Sequence, residues 1–276
     1  MKKDIDISDQ WQEIKTLTKD KKLSNFNDFK KSDFFYRITT WNPLKNGTRY
    51  FKILLYNLGM QLTPSHHNIL SKIKNRDFGD PISVDVNGHQ ICYDYLQCCH
   101  EVKVISDNIN LDNKNVLEIG AGYGRTCHSI LSFFDCQSYT IIDLEESLSI
   151  SRQYLKIVLE EQEYQKINFV PIDKIEQIKN KSFDLAIQID GFNEMKRETV
   201  LYYLSLIDSQ CENFYVKNPV GKYRDVEHCD STDDDKNINL ALKSGILTEF
   251  LDINDSEEIN KFSKKFIETY KVSDNR

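Results

Sequence analysis

From residue 115 onward, short runs rich in Val, Ile and Phe alternate with stretches whose apolar positions recur every three or four residues. The runs are Asn115–Ile119, residues 138–142, Ile167–Pro171, residues 183–189 and residues 213–216. Residues 124–134, 147–162 and 199–208 carry helical spacing, with Leu148, Ser151, Leu155, Val158 and Leu159 on one face of the second stretch. Strands that are apolar throughout, each followed by an amphipathic helix, predict an α/β fold: a parallel sheet with helices on both faces. Ahead of it, residues 83–91 alternate around Asn87-Gly88, a two-residue hairpin turn, and Tyr93–Asn108 reads as a helix.

The first 80 residues show helical periodicity only in pieces. Ile7, Trp11, Ile14 and Leu17 share one face; Phe26, Phe29, Phe34, Phe35 and Tyr36 form a second piece; Tyr50, Phe51, Ile53, Leu54, Leu55 and Leu58 form a third. So dense an aromatic set in a helical extension either packs on the next domain or lines a substrate or dimer surface. Two domains follow from this: a helical extension over 1–80 and a sheet domain over 81–276. Past residue 224 the alternation weakens, with a strand over 246–253, a helix over 256–266 and a closing strand over 266–272 as its simplest reading.

Charge changes the picture by subtraction. The net charge is −7, whereas nucleic-acid binders present a basic stripe to phosphates. Lys15, Lys19, Lys21, Lys22, Lys30 and Lys31 alternate with acids and read as a solvated helical face. No run of about 18 apolar residues offers a membrane span, and Met1-Lys2-Lys3-Asp4-Ile5-Asp6 lacks the apolar core of an export signal. The seven cysteines then read as reduced thiols of a cytoplasmic protein. Cys98-Cys99-His100 is their only tight cluster, and adjacent helical residues point too far apart to share a metal. A small-molecule substrate, no nucleic acid and no membrane insertion are the expected partners; the sequence also leaves room for a homo-oligomer.

The sharpest signal is Val116-Leu117-Glu118-Ile119-Gly120-Ala121-Gly122-Tyr123-Gly124-Arg125, a buried strand running into a glycine turn that opens a helix. Such a turn lets backbone approach a ligand closely. Dinucleotide sites use G-x-G-x-x-G; here Arg125 stands where the last glycine would fall. A nucleoside cofactor such as S-adenosylmethionine has no pyrophosphate to cradle, and its ammonium suits Glu118 at the strand end. The next strand ends in Asp143, 23 residues after Gly120, where a carboxylate can accept both ribose hydroxyls. The alternative for Asp143 is an acid favouring the N-terminus of the helix that begins Glu145-Glu146.

These residues resemble the first two motifs of class I S-adenosylmethionine-dependent methyltransferases. The likeness extends over residues 79–224 to a bacterial family of sugar O-methyltransferases. It is carried by 116–125, by Ser149-Ile150-Ser151-Arg152-Gln153-Tyr154-Leu155, by Phe183-Asp184-Leu185 leading to Gly191-Phe192-Asn193-Glu194-Met195, and by Asn218-Pro219-Val220-Gly221-Lys222-Tyr223. Leu144-Glu145-Glu146 departs from it, where a proline-rich turn is expected. The resemblance implies a Rossmann-like fold and methylation of a hydroxyl on a sugar or nucleotide sugar, a building block of cell-surface glycans. It implies a cofactor site of Glu118, Gly120, Ala121, Gly122, Gly124, Asp143, Leu144, Ile172 and Asp173. Ile172 would flank the adenine and Asp173 its amino group; Asp173 reads equally as the N-cap of a helix over 174–178.

Ligands of open parallel sheets bind beyond the carboxyl ends of the strands. An alcohol acceptor must lose a proton, and Asp190 at the end of the fourth strand is the first candidate base, with Asn193 and Glu194 within a turn of it. His128 is a second candidate, one turn into the helix after the glycine loop, where a packed histidine is the ordinary outcome. Lys217 stands where a metal site would want an acid, so no metal ligands are assigned, although the acidic loop 224–235 holds oxygen donors. An N-methylating enzyme for nucleic-acid bases would carry Asn/Asp-Pro-Pro-aromatic where this chain reads Asp190-Gly191-Phe192-Asn193. Transfer to another small-molecule or phosphate-bearing acceptor, a catalytically silent binding protein of the same fold, and a dehydrogenase are the remaining readings.

Overall fold

A computed structural model describes residues 26–31, 48–192 and 195–218. The expected helical face of Ile7 to Leu17, the aromatic residues 34–36, Asn193, Glu194, the acidic loop 224–235 and the elements expected over 246–272 lie outside the described residues. The described residues fall into two compact units, one drawn from 15–180 and one from 181 onward.

In the first unit, Thr48–Gly59 (α1) and Pro64–Lys72 (α2) precede a hairpin of Ser83–Val86 (β1) and His89–Cys92 (β2). The hairpin closes at Asn87 and Gly88, with φ of 54° and 83°, and pairs Val86 with His89. Both left-handed dihedrals match the type I′ turn that an Asn-Gly pair favours. Tyr93–Asn108 (α3) follows with the expected bounds. Asn115–Ile119 (β3), Ser138–Asp143 (β4) and Ile167–Pro171 (β5) then form a parallel ladder in the order β5-β4-β3. Its register sets Val116 beside Tyr139 and Asp143 beside Pro171. Val116, Leu117, Ile119, Ile141 and Ile142 are fully buried, as the unbroken apolar runs require of strands covered by helices. Arg125–Phe133 (α4) and Glu145–Val158 (α5) connect the strands.

Two departures from expectation go beyond shifts of one or two residues at element ends. The helix read over 147–162 is two: α5 stops at Val158, Leu159 is extended at φ −96° and ψ 152°, and Glu161–Tyr164 (α6) begins anew. At the stop, Asn75 Nδ2 donates to the Val158 carbonyl at 3.1 Å, satisfying one of the carbonyls a helix end leaves open. The turn after β5 is 3-10 helical over Ile172–Ile178 but kinked at Lys174, φ −113° and ψ 18°; Pro171 is the N-cap of its first part, and Asp173 lies between that cap and the kink.

The second unit carries Leu185–Ile189 (β6), Arg197–Gln210 (α7) and Phe214–Lys217 (β7). β6 and β7 run parallel, with Ala186 beside Phe214 and Ile189 beside Lys217. Phe183 bridges Cys211 beyond the ladder. The molecule is thus a mixed α/β protein in which parallel strands alternate with helices.

Candidate functional site

The glycine loop leaves β3 at Gly120 and enters α4 at Arg125. Gly120, Gly122 and Gly124 all take left-handed backbone, with φ of 77°, 57° and 98°, so a side-chain-bearing residue at any of them would be strained. Gly124 is also confined: an added Cβ would sit 2.8 Å from Leu155 Cδ1. The loop is tied to its neighbours by backbone bonds from Gly120 N–H to the Ile142 carbonyl, 2.9 Å, and from Gly124 N–H to the Ala121 carbonyl, 3.0 Å.

Asp143 joins the loop to the tip of β4. One carboxylate oxygen accepts the Gly122 N–H at 3.0 Å and the other the Leu144 N–H at 2.7 Å. The Ser147 side chain hydrogen-bonds the same carboxylate, which with about four lone-pair sites retains some acceptor capacity. Burial lifts the Asp143 carboxyl to about 6, against the pull of those amide bonds. Glu118 is more enclosed, only 3% exposed. It accepts a 2.8 Å bond from Tyr139 Oη, and burial raises its carboxyl to about 7. As the sequence predicts, Glu118 stands near the end of β3; it is buried there, where its charge is costly unless matched, and the Thr126 side chain and the Arg125 charge help to hold it. Leu144, the N-cap of α5, is buried, Ile172 half-buried and Asp173 exposed.

Arg125 is committed elsewhere. Its guanidinium donates to the Asp94 carbonyl at 2.9 Å and to Glu101 Oε1 at 3.2 Å, clamping the start of α4 to α3. Tyr123, between two loop glycines, turns inward and donates its hydroxyl to Asp94 Oδ2 at 2.7 Å. Neither contact is legible locally, because both partners come from α3.

His128 does not reach the surface. It is 0% exposed, and its Nδ1 lies 2.5 Å from Tyr95 Oη, which lies 2.5 Å from Tyr154 Oη. Burial drops the imidazole to about 3, so it is neutral. A general base must touch the acceptor, and this histidine touches core tyrosines; it packs and is not carried forward as a base. Lys30 corrects a second expectation. Read as part of a solvated face, it is only 4% exposed, with its ammonium 3.3 Å from both Tyr154 Oη and the Arg76 carbonyl.

In the second unit, Asp190 ends β6 in left-handed backbone, φ 57°, with its N–H on the Lys217 carbonyl at 2.8 Å. Gln188, fully buried, supports the turn. With its amide oxygen toward the turn, it accepts the Gly191 and Phe192 N–H groups at 2.7 and 2.9 Å. In that orientation its amide nitrogen faces the Asn218 side-chain amide at 2.7 Å, and Asn218 Oδ1 lies 3.2 Å from the Phe192 N–H. Sequence reasoning named Asp190 and Asn218 and missed Gln188; a glutamine in the middle of an apolar strand is the signal it left unused. Lys217 at the end of β7 is buried, 7% exposed. Among the described residues no three His, Cys, Asp or Glu side chains gather as a metal site, and no helix is long and apolar enough to cross a membrane.

No protein-family model matches the sequence, and no curated protein matches it either. Solved structures share parts of its fold at low identity. A Thermoplasma acidophilum protein aligns over 56% of this chain and 71% of its own, at 14% identity and a TM-score of 0.39. The glycopeptide N-methyltransferase MtfA, complexed with S-adenosyl-L-methionine, aligns over 42% of this chain and 52% of its own, at 18% identity and 0.36. Phosphoethanolamine N-methyltransferase 1 of Haemonchus contortus, with phosphoethanolamine and S-adenosylhomocysteine, aligns over 44% of this chain and 25% of its own, at 19% identity and 0.35. This chain therefore matches about half of the length of one named methyltransferase and a quarter of the other.

Proposed function

We propose that this chain is a class I S-adenosylmethionine-dependent methyltransferase that methylates a hydroxyl of a sugar or sugar-like small molecule. The observation that carries the cofactor reading is the bond from the Gly122 N–H to Asp143, which joins a left-handed glycine loop to a carboxylate at the tip of the next strand. The electrostatics support a nucleoside with a cationic arm over a dinucleotide. Two buried carboxylates flank the loop in the chain, Glu118 on the strand that leads into it and Asp143 bonded to it. They would repel a pyrophosphate and attract an ammonium. Arg125, the nearest cation in sequence, is held by Asp94 and Glu101.

On this reading Glu118 matches the ammonium of the cofactor, the Gly120–Gly124 backbone approaches it closely, Asp143 accepts the ribose hydroxyls, and Leu144, Ile172 and Asp173 line the adenine. The cofactor supplies an already activated methyl group, so the protein's tasks are placement and proton removal. Asp190 takes the acceptor's hydroxyl proton. Its left-handed backbone, supported by Gln188 and Asn218, fixes where the carboxylate starts. The sugar acceptor is supported by the likeness of residues 191–195 and 218–223 to sugar O-methyltransferases, and by a net charge of −7 that disfavours polyanions.

The test is incubation with S-adenosylmethionine and a panel of nucleotide sugars and free sugars, read by mass spectrometry. A product heavier by one methylene, about 14 Da, on a sugar supports the proposal. Methylation only of an amine or phosphate-bearing acceptor would retain the cofactor reading and reject the sugar.

A further inference from the structure

The Phe26–Lys31 stretch is docked against the glycine loop's own tyrosine. Phe29 is 1% exposed and meets Tyr123 and Tyr154 edge-on, with ring centroids 5.5 and 5.7 Å away. Its seat is shaped for it. Gly79 takes φ +89°, and a Cβ there would lie 2.5 Å from the Phe29 ring. Asn75 and Asp80 in the same loop are also left-handed, at 55° and 53°. The Lys30 N–H donates to the Gly79 carbonyl at 3.0 Å.

The Lys30 side chain reaches further in. Its ammonium lies 5.0 Å from the Tyr154 ring centroid, 5.1 Å from Tyr95 and 5.4 Å from Tyr123, within cation–π range of each. From it runs a chain of hydrogen bonds: the Lys30 ammonium donates to Tyr154 Oη, the Tyr154 and Tyr95 hydroxyls bond one another, and Tyr95 Oη meets the neutral His128 at Nδ1. No carboxylate pairs with the ammonium among the described residues; burial lowers its pKa below the usual lysine value, and the charges of Asp94 and Asp77 act against that fall. Asp94 is the residue that also accepts Tyr123 Oη. A buried cation is retained only where its surroundings repay its lost hydration. Here those surroundings are the rings and hydroxyl beneath the glycine loop.

We infer that Lys30 is a positioning residue for the cofactor loop: it locks the Phe26–Lys31 segment under Tyr123, so that docking of this segment and occupancy of the loop are thermodynamically coupled. The inference rests on the cofactor reading above. It follows from contiguity, because Tyr123 lies between Gly122 and Gly124, and its ring is shared by Phe29, Lys30 and Tyr154. Loosening the segment frees Tyr123 and with it the two flanking glycines. By reciprocity, a ligand on the loop must hold the segment more tightly.

Two measurements on the full chain test this. In hydrogen exchange, S-adenosylhomocysteine should slow exchange of residues 26–31, above all the Lys30 amide bonded to Gly79. In calorimetry well below the unfolding midpoint, Lys30→Met should bind S-adenosylhomocysteine at least about fivefold more weakly. A merely structural lysine would shift the melting temperature and leave affinity alone. Unaltered exchange over 26–31 on ligand binding overturns the coupling, even if Lys30→Met fails to fold. Unchanged affinity in a folded Lys30→Met protein overturns it as well. A native protein that does not bind S-adenosylhomocysteine at all would bring down the cofactor reading and this inference together, a result distinct from either of those.

Discussion

Gly122 gives its backbone N–H to Asp143 at 3.0 Å, although the two residues stand at the exits of different strands. The bond makes the shape of the glycine loop depend on a carboxylate that is itself a candidate ligand for the ribose. Replacing Asp143 with Ala should therefore do two things at once: remove the ribose acceptor and release the Gly122 and Leu144 amides. A hydrogen bond to a charged group contributes about 1.5–3 kcal/mol, so affinity for S-adenosylhomocysteine should fall at least about tenfold. Asp143→Asn keeps the shape and one acceptor oxygen and should lose less. Calorimetry that finds Asp143→Ala binding as tightly as the native protein removes Asp143 from the site.

Cofactor affinity should depend on pH near neutrality. Burial holds Glu118 at about 7 and Asp143 at about 6, and each must be ionised to attract the ammonium or to accept hydroxyl donors fully. As pH falls through 7, Glu118 takes up a proton in the free protein that binding must expel; below 6 Asp143 does likewise. Affinity should thus weaken toward acid, by up to about tenfold per pH unit between 7 and 6 and more steeply below 6. Titrations with S-adenosylhomocysteine at pH 8, 7 and 6 would show it, and Glu118→Gln should flatten the upper part of the curve. A flat profile in the native protein would mean that neither carboxylate meets the ligand in its charged form.

Stability should have its own pH dependence through His128. Its folded value is about 3 and its unfolded value about 6.5. The folded pKa is depressed, so between these limits the unfolded chain binds a proton that the native protein refuses. Stability from this group is present above about 6.5 and declines on acidification, by about 2 kcal/mol at pH 5. Glu118 and Asp143 titrate in the opposite sense, their folded values being raised, so the comparison needs a variant. The stability lost between pH 7 and 5 should be smaller in His128→Gln than in the native protein by about that amount, measured by urea unfolding. Equal losses would mean that the histidine is hydrated in the native state.

Much of this was legible in the residues, and the exceptions share a cause. β3, α3 and β5 stand at their expected bounds because apolar runs and helical spacing are local signals. The glycine loop was legible because three glycines in five positions mark a run of left-handed dihedrals that most residues disfavour. What stayed hidden depends on partners distant in sequence. The stop of α5 at Val158 carries no glycine or proline, and the side chain that caps it, Asn75, is 83 residues away. Lys30 looks like any lysine of a charged helix until Tyr95, Tyr123 and Tyr154 are brought round it. α2 was different, since Thr63 before Pro64 is a helix-start signal that sequence reading could have used, here completed by His66 Nδ1 accepting the Thr63 N–H at 3.2 Å.

Asp190 carries the prediction about catalysis. Its φ of 57° costs little for Asp or Asn, whose short polar side chains tolerate left-handed backbone, and about 1–2 kcal/mol for most other residues. Asp190→Asn is therefore the informative change, for it removes the base and leaves the turn at Gln188 and Asn218 undisturbed, whereas Asp190→Ala would confound lost chemistry with lost conformation. The asparagine variant should melt within about 1 °C of the native protein and bind S-adenosylhomocysteine with near-native affinity. Its rate at saturating acceptor should fall by about 10² or more, in line with a lost general base. Added Mg²⁺ should not restore it, and a chelator should not slow the native protein, because the neighbouring strand end presents the buried Lys217 and not a second acid. Gln188→Leu, which removes the acceptor of two turn amides, should lower turnover with Asp190 still present. If Asp190→Asn turns over normally while Glu194→Gln does not, the base is Glu194; if chelation stops the native reaction, the acidic loop 224–235 is where oxygen ligands should next be sought.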